Sequence, residues 1–202
     1  MIQKSLIHMI FSEDYHTLPK ILQKHYSLVP YTTGNVSFSG TVNVNIARIF
    51  NLVAPLFKII NGPPPFDQQN VPINIKFSSK HDSNQLFLRR SFYYKDRKIH
   101  NFNSKIIYLK DNIILECMKF NFTAKLIYSF QSDKIIINYG GYFLRIGKLL
   151  ISLPLQWIIG EFYACQEQID ETKFMMSLQL RHRLFGQIYQ FDGIFKIENA
   201  DE

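Results

Sequence analysis

Apolar and polar residues alternate with a period of two along most of this chain. "VSFSGTVNV" sets Val36, Phe38, Gly40, Val42 and Val44 against polar partners, the signature of a half-buried strand. From residue 71 the same pattern predicts strands over 71–79, 85–94, 98–109, 113–120, 122–130, 134–146, 149–153, 157–169, 172–180 and 186–197. The turns between them, among them "KHDSN", "KDN" and "IDET", are polar and rich in Asp, Asn and Ser. Connections this short make neighbouring strands antiparallel, because a parallel crossover needs about a dozen residues. Phe122, Ala124, Leu126, Tyr128 and Phe130 share one face, as do Tyr189, Phe191, Phe195 and Ile197. A one-sided sheet of this many strands curls, so the expected fold is mainly β (α+β), a large curved antiparallel sheet closing into a barrel or half-barrel.

Helical signals are confined to the first 60 residues. "SEDYHTLPKILQKHYSL" offers Ser12 as a cap, early acids, and Leu18, Ile21 and Leu22 on one side, with Pro19 in the first turn of a helix capped at Thr17. "NIARIFNLVAPLFKII" (45–60) is apolar nearly all round and predicts a covered helix, kinked or ended at Pro55, before the "NGPPPFDQQN" loop.

At 202 residues the chain is the size of one domain, here 1–202, with a helical segment over 1–30, the helix over 45–60 and strands over 71–197. Its 18 Phe and 11 Tyr supply either a filled all-β core or an aromatic-lined cavity; the second would be about 300 Å³ or more, beside helix 45–60. The net charge of +7 attracts anionic groups, yet Lys and Arg form no long run and accompany no nucleic-acid motif. Nucleic acid is therefore an unlikely partner. Cys117 and Cys165 match no metal spacing and read as buried thiols, and six scattered histidines define no metal site. No leader-like N-terminus or spanning segment is evident, since the apolar run 149–160 is too short and holds a proline, so a cytoplasmic protein is expected.

Charged residues inside strands are the candidate chemistry. Arg90 shares parity with Leu86, Leu88 and Phe92, Glu116 with Ile114 and Met118, and Glu161 with Trp157, Ile159 and Tyr163; Glu167 is a further strand carboxylate. An inward arginine with Glu116 and Glu161 could hold a polar head or simply pair, because buried charges persist only when paired. Ser104, Tyr108 and Tyr189 could add hydroxyls or serve as core or rim residues. His182, in "RHRLFG" between strands 172–180 and 186–197, reads as a turn histidine capping carbonyls rather than a general base. No catalytic residue is assigned, since the chain has no nucleophile elbow, reactive Cys-His signature or phosphate loop, and no cofactor is expected.

"TLPKILQKHY", "LFLRRSFYY", "HNFNSKIIYL", "ILECMKF", "IIGEFYACQEQ" and "HRLFGQIYQFDGIF" together resemble a bacterial family of unknown function, DUF4166, over roughly 14–197. The family's terminal signature is kept at His182, Leu184, Phe185, Gly186, Gly193 and Phe195, with departures at Arg183 and Phe191. Members often follow a Rossmann NAD-binding domain of saccharopine-dehydrogenase type, and no Rossmann fingerprint occurs in this sequence. The leading functional expectation is a non-enzymatic domain binding an apolar or amphipathic, lipid-like small molecule through Arg90, Ser104, Glu116, Glu161, His182 and Tyr189. The resemblance implies a second reading, an accessory or substrate-binding subunit of a separate NAD(P)-dependent oxidoreductase. A third is docking on a membrane surface through basic residues and helix 45–60.

Overall fold

The computed structural model describes residues 4–198. Its β-strands are β1 (Gly34–Ile46), β2 (Gln68–Ser79), β3 (Leu86–Phe92), β4 (His100–Lys110), β5 (Ile113–Cys117), β6 (Phe122–Gln131), β7 (Lys134–Ile146), β8 (Leu149–Leu153), β9 (Glu161–Gln168), β10 (Lys173–His182) and β11 (Gly186–Glu198). All belong to one antiparallel sheet in the order β6-β5-β4-β3-β2-β1-β11-β10-β9-β7-β8. Pairing of β6 with β7, from Phe122↔Leu144 to Gln131↔Lys134, closes ten of them into a barrel. β8 continues outward from the far end of β7, and its Leu150 covers Ile107, Leu115 and Cys117 on the barrel's outer wall.

The alternation explains the closure. Phe38, Val42, Val71, Ile73, Leu88, Ile114, Leu126, Ile137 and Phe195 all turn inward and are buried, while Lys76, Arg89 and Lys196 on the intervening positions are exposed. This apolar interior with a charged outer wall inverts the pattern of a lipid-spanning barrel. β1 and β11 approach closely at Gly40, where a Cβ would stand 2.3 Å from the Ile194 carbonyl oxygen. No helix among the described residues is long and apolar enough to cross a membrane.

Antiparallel order gives the barrel two distinct ends. At one, which we call the plug end, short turns 111–112 and 132–133 join the strands, and α1 (Leu6–Ile10) and α2 (Lys20–His25) press into the opening. The other, the lid end, gathers the connections 47–67, 93–99, 118–121, 154–160 and 183–185, with α3 (Ala54–Ile59) and α4 (Gln156–Ile159) across it.

Several expected elements are corrected. Instead of one helix over 45–60, β1 runs on to Ile46 because Asn45 and Ile46 still pair with Gln190 and Tyr189 of β11. A 3-10 turn (Arg48–Leu52) and α3 follow, with Pro55 in the first turn of α3, where its missing N–H costs nothing. Near the N-terminus Ser12 caps nothing: it lies in the turn after α1, and α2 is capped by Pro19 rather than Thr17, so it starts two residues later than expected. The expected strand 157–169 begins with α4 instead, and Gly160 (φ 79°) reverses the chain into β9. Thus α4 and the 3-10 turn Lys119–Asn121, which ends β5 early, lie outside the first 60 residues.

Candidate functional site

The barrel encloses a cavity of about 130 Å³, lined mostly by apolar side chains from nearly every strand. This is well below the roughly 300 Å³ expected. The aromatic residues account for the difference, because they fill the space from both sides: Phe38 meets Phe174 edge to face at 5.6 Å, Tyr26 meets Phe77 at 6.2 Å, and Phe50 meets Tyr189 tilted at 5.3 Å. The cavity is ring-sized, since an apolar cavity of about 150 Å³ holds a molecule such as benzene.

Polar groups interrupt this lining. Arg90 faces inward on β3 as its parity implies, and it pairs with Glu116 of β5, while Arg89 points to solvent. The Ser104 hydroxyl, buried on β4 between them, donates to Glu116 Oε1 at 2.7 Å. Arg90 also lies 3.9 Å from the Phe102 ring centre and donates through Nη2 to Ser104 Oγ at 3.4 Å. Its Nη1 is buried with no partner. Tyr189, fully buried on β11 against the lid, likewise has an unpartnered hydroxyl, and burial holds its pKa well above the usual phenol value.

Toward the plug end, α2 contributes two groups that sequence reasoning did not single out. Ile21, Leu22, His25 and Tyr26 form its buried face. His25 stacks on Phe38 at 4.6 Å and is boxed by Tyr26, Phe77 and Phe174. Desolvation, with the Arg90 charge as a smaller cause, lowers its pKa to about 3, so the ring is neutral at pH 7; its Nδ1 has no partner. Tyr26 donates to Gln166 Oε1 at 3.0 Å, and burial pushes its pKa up to about 12. Burial likewise holds the Tyr128 phenol, beside it, well above the usual value. The i, i+4 spacing of Ile21 with His25 and Leu22 with Tyr26 was the available signal for these two.

Two expected members stand elsewhere. Glu161 is exposed on the outer face, as are its parity mates Tyr163 and Trp157. The helical turn of α4 and Gly160 shift the phase, so Phe162, Ala164 and Gln166 point inward instead. Glu167 also faces outward and pairs with Lys134. His182 is buried beneath the lid but does not line the cavity. Its Nδ1 accepts the Leu184 N–H at 3.1 Å, which leaves the proton on Nε2 to donate to the Trp157 carbonyl at 2.9 Å. A backbone N–H can only donate and a carbonyl can only accept, so this histidine is the neutral Nε2–H tautomer tying α4 to the 183–185 turn. Cys117 is buried as expected, whereas Cys165 is half-buried on the outer face. No cluster of metal-ligating residues occurs among the described residues.

Fold and site together define a closed antiparallel barrel with a small apolar cavity that carries a few buried polar groups. The family model of the domain of unknown function DUF4166 matches residues 18–195, and the chain belongs to that family. No curated protein matches it. Among solved structures, a dehydratase domain from the CurJ module of the curacin polyketide synthase aligns over 81% of this chain and 76% of that chain, at 6% identity and a TM-score of 0.18. A likeness at that score carries no argument about this chain.

Proposed function

We propose that the barrel binds a small, largely apolar molecule with a neutral hydrogen-bonding head. One observation carries this reading: among the described residues, the buried side-chain nitrogen and oxygen atoms without a partner are His25 Nδ1, Arg90 Nη1 and Tyr189 Oη, and all three residues line the same cavity. Leaving such a group unpaired costs about 1–3 kcal/mol, so three around one cavity mark a place where a ligand supplies the missing bonds. Size restricts the ligand to about one ring with a short substituent. Charge restricts its head. Arg90 and Glu116 already cancel, and an added carboxylate would place an uncompensated charge in a desolvated interior. A ketone, amide or phenol satisfies Arg90 Nη1 without that cost.

Thermal melting of the purified protein with phenol, acetophenone and benzoate tests this. The neutral compounds should raise the melting temperature by ~3 °C or more at saturating concentration, and benzoate by less. No rise with either neutral compound, together with native mass spectra free of any bound small molecule, would overturn the reading.

A further inference from the structure

The lid end differs from the rest of the surface in two ways at once. Leu52, Ile59, Phe120, Trp157, Leu184 and Phe185 project from its connections with 55% or more of their surface exposed. Interleaved with them are exposed Lys58, Lys95, Arg97, Lys98, Lys119 and Arg183. The connections there carry only Asp67 and Asp96 as acids, and Asp67 is occupied as acceptor for the Ile46 N–H at 3.0 Å. The lid is held together as one surface. Lys119 donates its backbone N–H to the Ile60 carbonyl, His100 bonds the Gly62 carbonyl at 3.0 Å, and Arg183 lies 5.3 Å from the Trp157 ring centre.

Exposed Trp, Leu and Phe beside Lys and Arg suit a lipid headgroup boundary, where the apolar groups enter the acyl region and the cations meet phosphates. Phe185 stacks on His182 and Arg183 lies over Trp157, but packing gives no reason for Leu184, which is 79% exposed on a three-residue turn that needs only polar residues. We propose that the lid end is a docking surface for anionic lipid bilayers, with Trp157, Leu184 and Phe185 inserting and the surrounding cations holding the headgroups. This surface includes α3, but α4 and the 183–185 turn are equal parts of it. The proposal does not depend on the cavity being a ligand site.

Trp157 is the chain's single tryptophan and reports the contact directly. The full chain is mixed with vesicles of phosphatidylcholine containing roughly one part in four phosphatidylserine, and with vesicles of phosphatidylcholine alone. Trp157 emission should shift to the blue, and be quenched by brominated acyl chains, on the anionic vesicles only, with the effect reversed at high salt. Lys58→Gln and Lys98→Gln should each weaken binding about fivefold, whereas Lys80→Gln at the plug end should leave it unchanged. Leu184→Ser should weaken it while the melting temperature stays that of the wild type. Unchanged emission with anionic vesicles, equal binding to both vesicle types, or a shift that follows protein concentration without lipid and so reports a second copy, would each overturn the proposal.

Discussion

The two ends of the barrel solve the same geometrical problem with different materials. The plug end is closed from within: α2 pushes His25 and Tyr26 among Phe38, Phe77 and Phe174, and the connections outside carry exposed acids, among them Glu13, Asp14, Asp82, Asp111, Asp170 and Glu171. The lid end is closed from outside by two short helices, each with one side on the interior through Phe57 and Ile159 and another bearing exposed Ile59 or Trp157. At the plug end most apolar residues are spent on packing, with Tyr31, Leu109 and Ile169 exposed singly among acids and lysines. An end that keeps apolar residues in water, ringed by cations, is built to meet something.

The largest effect is expected between the ends. Arg90→Ala leaves Glu116 buried without its cation and should destabilise by about 3–5 kcal/mol in denaturant melts, while the double change Arg90→Met with Glu116→Leu should recover much of that. If the pair is architecture only, the double variant keeps any bound neutral ligand; if it orients a ligand, stability returns and binding does not.

At the lid end, Gly160→Ala should cost about 3 kcal/mol. Residue 160 has φ 79°, and a Cβ there would lie 2.5 Å from the Arg181 carbonyl oxygen, so α4 must shift off β10. A variant as stable as wild type would mean that α4 is not fixed to the barrel.

The plug end should reveal itself through pH. Folded His25 resists protonation down to about pH 3, whereas the unfolded chain takes that proton near 6.5. Between those values the unfolded state binds more protons, so stability rises with pH across the window and falls on acidification by up to ~1.4 kcal/mol per pH unit. His25→Phe should abolish this share, leaving the variant about 2 kcal/mol better placed at pH 5 than the same comparison shows at pH 7.5. Equal differences at the two pH values would sink the assignment of a neutral, boxed His25.

The smallest effects are expected at the exposed lid residues. Lys58→Gln and Leu184→Ser should change stability by less than about 0.5 kcal/mol. A larger loss would make them part of the packing and remove the contrast between the ends.

The barrel was legible because strand alternation reads out burial directly: Arg90 and Glu116 fell on the inward face, Arg89 on the outward one, from parity alone. Parity fails where the chain leaves the strand for a single turn. "LQWIIG" is as apolar as a strand, yet Gly160 and the helical turn before it reverse the phase, which placed Glu161 inside and hid Gln166. The helix over 45–60 was overdrawn for a related reason, since no local signal tells Asn45 and Ile46 that β11 will pair with them. His25 and Tyr26 escaped notice because their partners come from β1, β2, β6, β9 and β10, far away along the chain. The cavity's size depends on how rings from all sides interlock, which periodicity does not encode.

β1 and β11 pair residue for residue from Ser37↔Glu198 to Ile46↔Tyr189. During synthesis β1 is therefore made early and waits, with one edge unpaired, for β11 to leave the ribosome. Until then β1 and β10 are both open edges, each able to recruit a strand from a neighbouring nascent chain. A chain cut before β11 would not settle into a smaller barrel, because β10 and β1 would have to meet without the strand that spaces them. Pairing of β11 with β1 is thus the step that commits the barrel, and it joins one of the longest sequence separations the fold contains.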